Sequence, residues 1–389
     1  MKNIVVLGST GSIGTSSLEV ISKLGKGYKV LGLSTYGKEA LILQQLKKFK
    51  PKYVSVLPKA THDKIKNKIP AGTKLLSPTL KGLNFLSSLK PADLIINGLV
   101  GSVGFEPLIS SIKAGKTIAL ANKEPIVMAG ELIMKLAKKY NAKILPVDSE
   151  PSAVFQCLDG ICPSTYHNTS KLVEKFFLTA SGGPFFNYKG NLSKVSPAQA
   201  LKHPRWKMGP KITIDSSTLM NKGFELIELM HLFSIPMDKI QIVIHPQSVV
   251  HGAVEYKDGS ILAKMSLPDM KLPIQYAITY PEKCKSPVKK LDLFELGKLE
   301  FYRPNLNKFP CLNLALQCAK KGGSYPVVLN ASNEVAVQKF LAGEIKFTDI
   351  SKLIEKVLNK NPYKSARNLN LKKVQEIHNW ATKHSREKI

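Results

Sequence analysis

The sequence predicts an α/β protein in three parts: an N-terminal parallel-sheet domain, a central α/β domain with partly antiparallel pairing, and a C-terminal helical bundle. Three observations carry this. Over the first 150 residues, short β-rich runs alternate with stretches of helical spacing, the pattern of a parallel sheet with helices on both faces. The texture then shifts to strand-like runs, "KFFLTASGGPF", "KITID" and "KIQIVIHP", and then "VVHGAVEYKDGSILAKMS", in which Asp258-Gly259 marks a hairpin turn. From Cys311 onward the apolar spacing is helical.

In chain order, the predicted strands of the first domain (residues 1–150) are "NIVVLG", "YKVLGLS", "YVSVL", "DLIING", "TIALA" and "KILPV". Between them lie helical segments such as "GTSSLEVISKL" and "KEALILQQLKKF". The central domain spans 151–280. Proline and lysine dominate 281–310 ("YPEKCKSPVKK", "FYRPNLNKFP"), which reads as a linker over the surface. The helical domain covers 311–389. A chain of 389 residues exceeds one ordinary core, and an apolar fraction of 43% describes a globular protein.

Composition narrows the function classes. Lysine and arginine number 57 against 28 acids, a net charge of +29 that attracts phosphates of any kind. The excess is mostly lysine spread along the whole chain, without a nucleic-acid motif, so a solvated basic surface is expected and no specific nucleic-acid partner. No apolar run is long enough to span a bilayer, so no membrane partner is expected. "MKNIVVLG" enters a strand at once, which leaves no room for a targeting peptide and points to the cytoplasm. Five scattered cysteines (Cys157, Cys162, Cys284, Cys311, Cys318) without a CxxC pattern are expected as reduced thiols.

Chemistry begins with "VVLGSTGSIGTSSLEV". Gly8, Gly11 and Gly14 follow the first strand and open the first helix, so the backbone can turn tightly and approach a pyrophosphate at a helix N-terminus. That makes the N-terminal domain Rossmann-like. Its second strand ends "LGLSTYGKE", with no acid directly at the tip. Lys38 there favours a 2′-phosphate and hence NADP, while Glu39 beside it opposes one.

Two groups of acids follow. In "PVDSEP", an extended segment would point Asp148 and Glu150 from one face, and two anions on one spot call for a cation or a shared proton. In "DSSTLMNKGFELIELMHLF", Glu225 and Glu228 share a helix face beside Ser216, Ser217, Thr218, Asn221 and Lys222, a mixture of donors suited to a phosphate. Asp148, Glu150 and a glutamate of this helix are hard oxygen ligands for Mg²⁺ or Mn²⁺. Zinc, which prefers Cys and His, is not indicated, and His245 and His251, on or beside a strand, are left out of the metal set.

The ordered motifs "GSTGSIG", "ALANKE", "PVDSE", "SGGPF", "HPRWKMG", "DSSTLMNKGFELIE" and "HPQSVVHG", with "FPCLNLA" and "LNASNEVAV" behind them, resemble the 1-deoxy-D-xylulose 5-phosphate reductoisomerase family over nearly the whole chain. The resemblance implies a central catalytic domain and a homodimer. It implies NADPH and Mg²⁺ or Mn²⁺ as cofactors, with Asp148, Glu150 and Glu225 holding the metal and Glu228 nearby. Ser149 and Lys123 would contact the sugar oxygens. Ser181, Ser216, Asn221 and Lys222 would bind the phosphate, under a loop carrying His203 and Trp206 that closes over the site. Gly8, Thr10, Gly11, Ser12, Ile13, Gly37, Lys38, Asn122, Glu124 and Gly209 would line the NADPH pocket, although the family often has Asn where this chain has Glu39. Lys123, Asp148, Glu150, Glu225 and His203 are the expected catalytic set. The implied chemistry is a metal-assisted retro-aldol and aldol rearrangement of a ketose phosphate, followed by hydride reduction. A homoserine- or semialdehyde-type dehydrogenase is the rival from the same ingredients, and a basic nucleic-acid binder is the non-enzymatic one.

Overall fold

The computed structural model describes residues 1–159 and 172–387. By internal contacts these residues form two compact units. The first comprises Met1–Pro125, Ile133–Ser152 and Asp269–Lys289; the second comprises Ile126–Leu132, Ala153–Pro268 and Lys290–Ile389. Residues of the expected central domain therefore fall in both, since Asp269–Lys289 groups with the first unit and the C-terminal helices group with the central strands.

In the first unit, β1 (Lys2–Leu7), β2 (Tyr28–Tyr36), β3 (Tyr53–Leu57), β4 (Lys74–Leu75), β5 (Leu94–Asn97), β6 (Thr117–Leu120) and β7 (Lys143–Pro146) form one sheet. Its order is β4-β3-β2-β1-β5-β6-β7, and every neighbouring pair is parallel. The chain runs outward from β1 on one side, then returns to build the other side from β5. The reversal leaves a crevice at the carboxyl ends of β1 and β5, the place where such sheets bind ligands. Ile4, Val5, Val6 and Leu7 are wholly buried, as a strand covered on both faces requires. The expected Rossmann-like sheet is thus present, with β4 added at one edge. That strand is two residues long, between "PAGT" and "SP", and has too little pattern to read.

In the second unit, β8 (Val173–Ala180), β9 (Ile240–Ile244), β10 (Val250–Tyr256) and β11 (Ile261–Met265) form a sheet of order β11-β10-β8-β9. β8 and β9 pair in parallel, while β10 is antiparallel to both β8 and β11. The Asp258-Gly259 hairpin is present: Gly259 has φ 85° and its N–H donates to Tyr256 O at 2.9 Å. Behind the sheet, the helices Pro310–Lys321, Ser324–Leu341, Asp349–Asn359 and Leu371–Arg386 supply the helical C-terminus. Ile350, Leu353, Ile354, Val357 and Leu358 bury one stripe of the helix Asp349–Asn359.

Two expectations differ. "KITID", read as strand-like, lies in the helix Pro210–Ser217. Gly209 enters it extended and Pro210 at the first position has its φ already set for a helix, while Ile214 and Thr213 are buried on one side. "PVDSEP" is not extended: β7 stops at Pro146 and a helix, Ser149–Asp159, starts two residues after Val147. Asp148 precedes that helix and Glu150 lies in its first turn, so the two acids converge by helix geometry instead of strand alternation.

Candidate active site

The glycine loop follows β1. Gly8 has φ 76° and its N–H donates to Ser34 Oγ at 2.9 Å. A Cβ on Gly14 would stand 2.3 Å from Gly8 O and Ser9 Cα, so the helix Ser12–Leu24 starts against the loop only because no side chain intervenes. No side chain caps this helix, which leaves its positive end to the crevice. The loop is braced from behind: Ser9 Oγ donates to Gln45 Oε1 at 2.7 Å, Gln45 Nε2 donates to Ser9 O at 2.9 Å, and the Thr10 and Thr35 hydroxyls lie 2.6 Å apart. Ser34, Thr35 and Gln45 have no motif of their own in the sequence; β2 brings in the first two and the helix after it, Glu39–Phe49, brings in Gln45. At the end of β2, Gly37 has φ 73° and Lys38 Nζ donates to Thr10 O at 3.2 Å, so the expected cofactor residues Thr10, Gly11 and Lys38 do come together. Ser12 and Ile13 open the same helix. Asn122, past β6, donates to Gly101 O at 3.1 Å and to Glu124 Oε2 at 2.6 Å. Gly209 lies in the second unit.

Past β7, Asp148 and Glu150 each offer a carboxylate oxygen, and these lie within 4.8 Å of one another. Ser149 stands between them: its N–H donates to Asp148 Oδ1 at 3.1 Å and its hydroxyl to Glu150 Oε2 at 2.6 Å. Lys123 ion-pairs with Asp148 Oδ2, and both side chains are at least nine-tenths buried. Buried charges are tolerated when paired in this way, and the acids, hydroxyl and ammonium form one polar cluster.

In the second unit, "SGGPF" and "HPRWKMG" meet the start of "DSSTLMNKG". His203 Nε2 is 2.9 Å from Ser181 Oγ and 3.1 Å from Ser216 Oγ. Its Nδ1 accepts from the N–H groups of Trp206 (2.8 Å) and Arg205 (3.2 Å), which assigns the ring proton to Nε2. An N–H and two hydroxyls therefore converge on one spot, a donor set that fits an anion. Trp206 also packs edge-on against His251, with ring centroids 6.0 Å apart. Ser216 is fixed through its own helix: the neighbouring Asp215, 1% exposed, accepts from Lys211 Nζ at 2.7 Å and from Asn333 Nδ2 at 2.8 Å. Sequence reading missed that tie, although "LNASNEVAV" contains Asn333.

The helix Met220–Leu232 begins after Leu219, a non-glycine residue held in the left-handed region at φ 58°. Such a conformation persists only where surrounding contacts impose it. Lys222 Nζ donates to Glu225 Oε2 at 2.5 Å and Asn221 Nδ2 donates to Glu225 Oε1; Glu225 and Glu228 are fully buried. Helical spacing does place both glutamates on one face, and it also turns Asn221 and Lys222 onto Glu225. His245 is a structural residue, with its Nδ1 bonded to Glu300 O at 2.9 Å and Nε2 accepting from Val249 N–H. Burial lowers its pKa below the ordinary value. Among the described residues Cys157, Cys284, Cys311 and Cys318 are thiols; burial pushes Cys311 and Cys318 up to about 12, so neither is a nucleophile. Cys162 lies outside the described residues.

Three family models match in order: 1-deoxy-D-xylulose 5-phosphate reductoisomerase over residues 4–130, its C-terminal domain over 144–233, and the DXP reductoisomerase C-terminal domain over 265–384. The chain is similar to the 1-deoxy-D-xylulose 5-phosphate reductoisomerase of Elusimicrobium minutum, 58% identical over 387 residues, covering 100% of this chain and 97% of that protein. It is 48% identical over 392 residues to the enzyme of the same name from Endomicrobium trichonymphae, covering 100% and 99%. Among solved structures, a DOX-P reductoisomerase in complex with NADPH, fosmidomycin and magnesium superposes with TM-score 0.91 at 38% identity, over 99% of this chain and 97% of the other. The Zymomonas mobilis enzyme in complex with NADPH superposes with TM-score 0.89 at 37% identity, over 99% and 98%.

Proposed function

The chain belongs to the 1-deoxy-D-xylulose 5-phosphate reductoisomerase family, and from that premise we propose which of its own residues perform each part of the reaction. The activity is the NADPH- and divalent-metal-dependent conversion of 1-deoxy-D-xylulose 5-phosphate to 2-C-methyl-D-erythritol 4-phosphate in the non-mevalonate isoprenoid pathway. The dehydrogenase rival is not favoured.

We assign the cofactor to residues 1–150, the metal and substrate to 151–280 together with the carboxylates that end the first segment, and support to 311–389. The observation that carries the metal assignment is the pair of neighbouring carboxylates at Asp148 and Glu150, hard donors 4.8 Å apart or less. Glu225, buried and already holding two donors, is proposed as the third ligand. A divalent ion bound there supplies Lewis acidity toward two adjacent substrate oxygens, and NADPH supplies the hydride. The rest is done by side chains. Ser149 and Lys123 hold the sugar hydroxyls and carbonyl, with the Lys123 ammonium available to offset charge developing on oxygen. Ser181, Ser216 and His203 Nε2–H, with Asn221 and Lys222, take the phosphate and fix the five-carbon chain relative to the acids. Trp206 and the rest of "HPRWKMG" close over the site and keep water from the aldehyde. The Gly8–Gly11 turn, Ser12, Ile13, Asn122, Glu124 and Gly209 hold the dinucleotide. We also assign the protein to the cytoplasm, as a homodimer with a small sugar phosphate as its substrate; among the described residues no helix is long and apolar enough to cross a membrane.

The test is NADPH oxidation with 1-deoxy-D-xylulose 5-phosphate, followed by nicotinamide absorbance with Mg²⁺, with Mn²⁺ and with EDTA. Consumption with either metal and none with EDTA is expected. Turnover that persists in EDTA would remove the role given to Asp148, Glu150 and Glu225.

A further inference from the structure

We infer that Lys68 is a cofactor-specificity residue: it pairs with Glu39 at the end of β2 and so keeps that acid from opposing a 2′-phosphate. In doubly wound sheets the tip of the second strand lies beside the adenosine ribose, where an acid accepts from the 2′-hydroxyl and repels a phosphate in its place. Here the tip is Tyr36, Gly37, Lys38 and Glu39. Lys38 Nζ reaches Thr10 O, which sets its ammonium beside the glycine loop. Glu39, three residues past the end of β2 and the first residue of the helix Glu39–Phe49, is the acid nearest that tip in sequence.

Its carboxylate is engaged elsewhere. Lys68 Nζ donates to Glu39 Oε1 at 2.8 Å. The Lys68 hydrogen bond holds Glu39 below its ordinary carboxylate range; burial opposes it, and the nearby charges of Lys68 and Lys64 add to the lowering. Both lysines come from the connection after β3, the helix Lys59–Ile65 and the turn Lys66–Lys68, and β3 is the sheet neighbour of β2. The tip therefore presents three ammonium groups against one carboxylate. An exposed pair of this kind adds little to fold stability, so the consequence falls on the ligand. A Glu39 paired with Lys68 is a weaker acceptor for a ribose hydroxyl and repels a phosphate dianion at less than full strength. The inference rests on the dinucleotide reading of the loop.

The experiment is a set of NADPH and NADH dissociation constants, measured by isothermal titration on the full chain, for wild type, Lys68→Ala, Glu39→Asn and the double variant. Exposing one carboxylate to a nearby phosphate predicts about tenfold weaker NADPH binding for Lys68→Ala, with NADH unchanged or tighter. Adding Glu39→Asn should restore most of the NADPH affinity. An unchanged NADPH-to-NADH ratio in Lys68→Ala would overturn the inference. A double variant as weak as Lys68→Ala would also overturn it, since Lys68 would then touch the phosphate itself. Wild-type protein with no preference for NADPH would overturn the inference alone, whereas wild type that binds neither dinucleotide would overturn the loop reading beneath it.

Discussion

Asp148 shows what a residue type and a motif tell and what they withhold. Its company in "PVDSE" announced two acids and a cation, yet the extended geometry first suggested for it was wrong, because Pro146 ends the strand and Ser149 starts a helix. The ion pair with Lys123 was equally hidden, since those residues meet only when β6 and β7 pair. Replacing Asp148 with Asn removes the charge of a proposed metal ligand and keeps the shape. Metal affinity is expected to fall by at least about 10–100-fold, the range for losing even a supporting partner of a ligand. NADPH affinity should hold, because the glycine loop is braced by Ser34, Thr35 and Gln45. Metal titration of turnover and NADPH titration on the same variant separate the two, and parallel loss of both would sink the assignment.

Among the elements, the first domain was legible because buried parallel strands leave continuous apolar runs between glycine- and proline-marked turns. "KITID" misled because its alternation is that of a strand, whereas Pro210 and the surrounding contacts decide for a helix. The helix Met220–Leu232 is the element on which the site most depends, as it carries Asn221, Lys222 and Glu225. It packs against the helix Pro310–Lys321 at Gly223, where an added Cβ would stand 2.2 Å from Ala315 Cβ. Gly223→Ala forces the two helices apart. Overpacking of this kind typically costs about 1–3 kcal/mol. The expected outcome is a lower thermal midpoint together with weaker metal binding, because Lys222 and Glu225 move with the helix. A fully stable variant with unaltered metal titration would show that the contact yields without effect.

For the whole molecule, the charge of +29 and three buried or half-buried histidines act in one direction. His231, His245 and His378 are all held below the ordinary histidine value of 6.5, in each case first by burial. The folded protein therefore takes up fewer protons than the unfolded chain once the pH drops below about 6.5. The histidine contribution to stability is complete above that value and is lost as pH falls through it toward the depressed folded values. Added positive charge on an already basic molecule deepens the same loss. Thermal midpoints should fall from about pH 7 toward about pH 5, and His231→Gln should fall less steeply than wild type. Equal slopes for the two proteins would exclude His231 from the effect. Sequence reading could not supply this, since burial of a lone histidine depends on which elements cover it.

The tie between Asp215 and Asn333 bears on how this enzyme is dissected in the laboratory. Ser216, proposed to receive the substrate phosphate, stands next to a buried carboxylate, and one of that carboxylate's two described partners comes from a helix more than a hundred positions later. On that reading the carboxyl-terminal segment supports the proposed phosphate site through Asn333. A fragment ending near residue 310 would keep every proposed site residue and lose Asn333, the partner of the carboxylate beside Ser216, so weaker phosphate binding is expected of it.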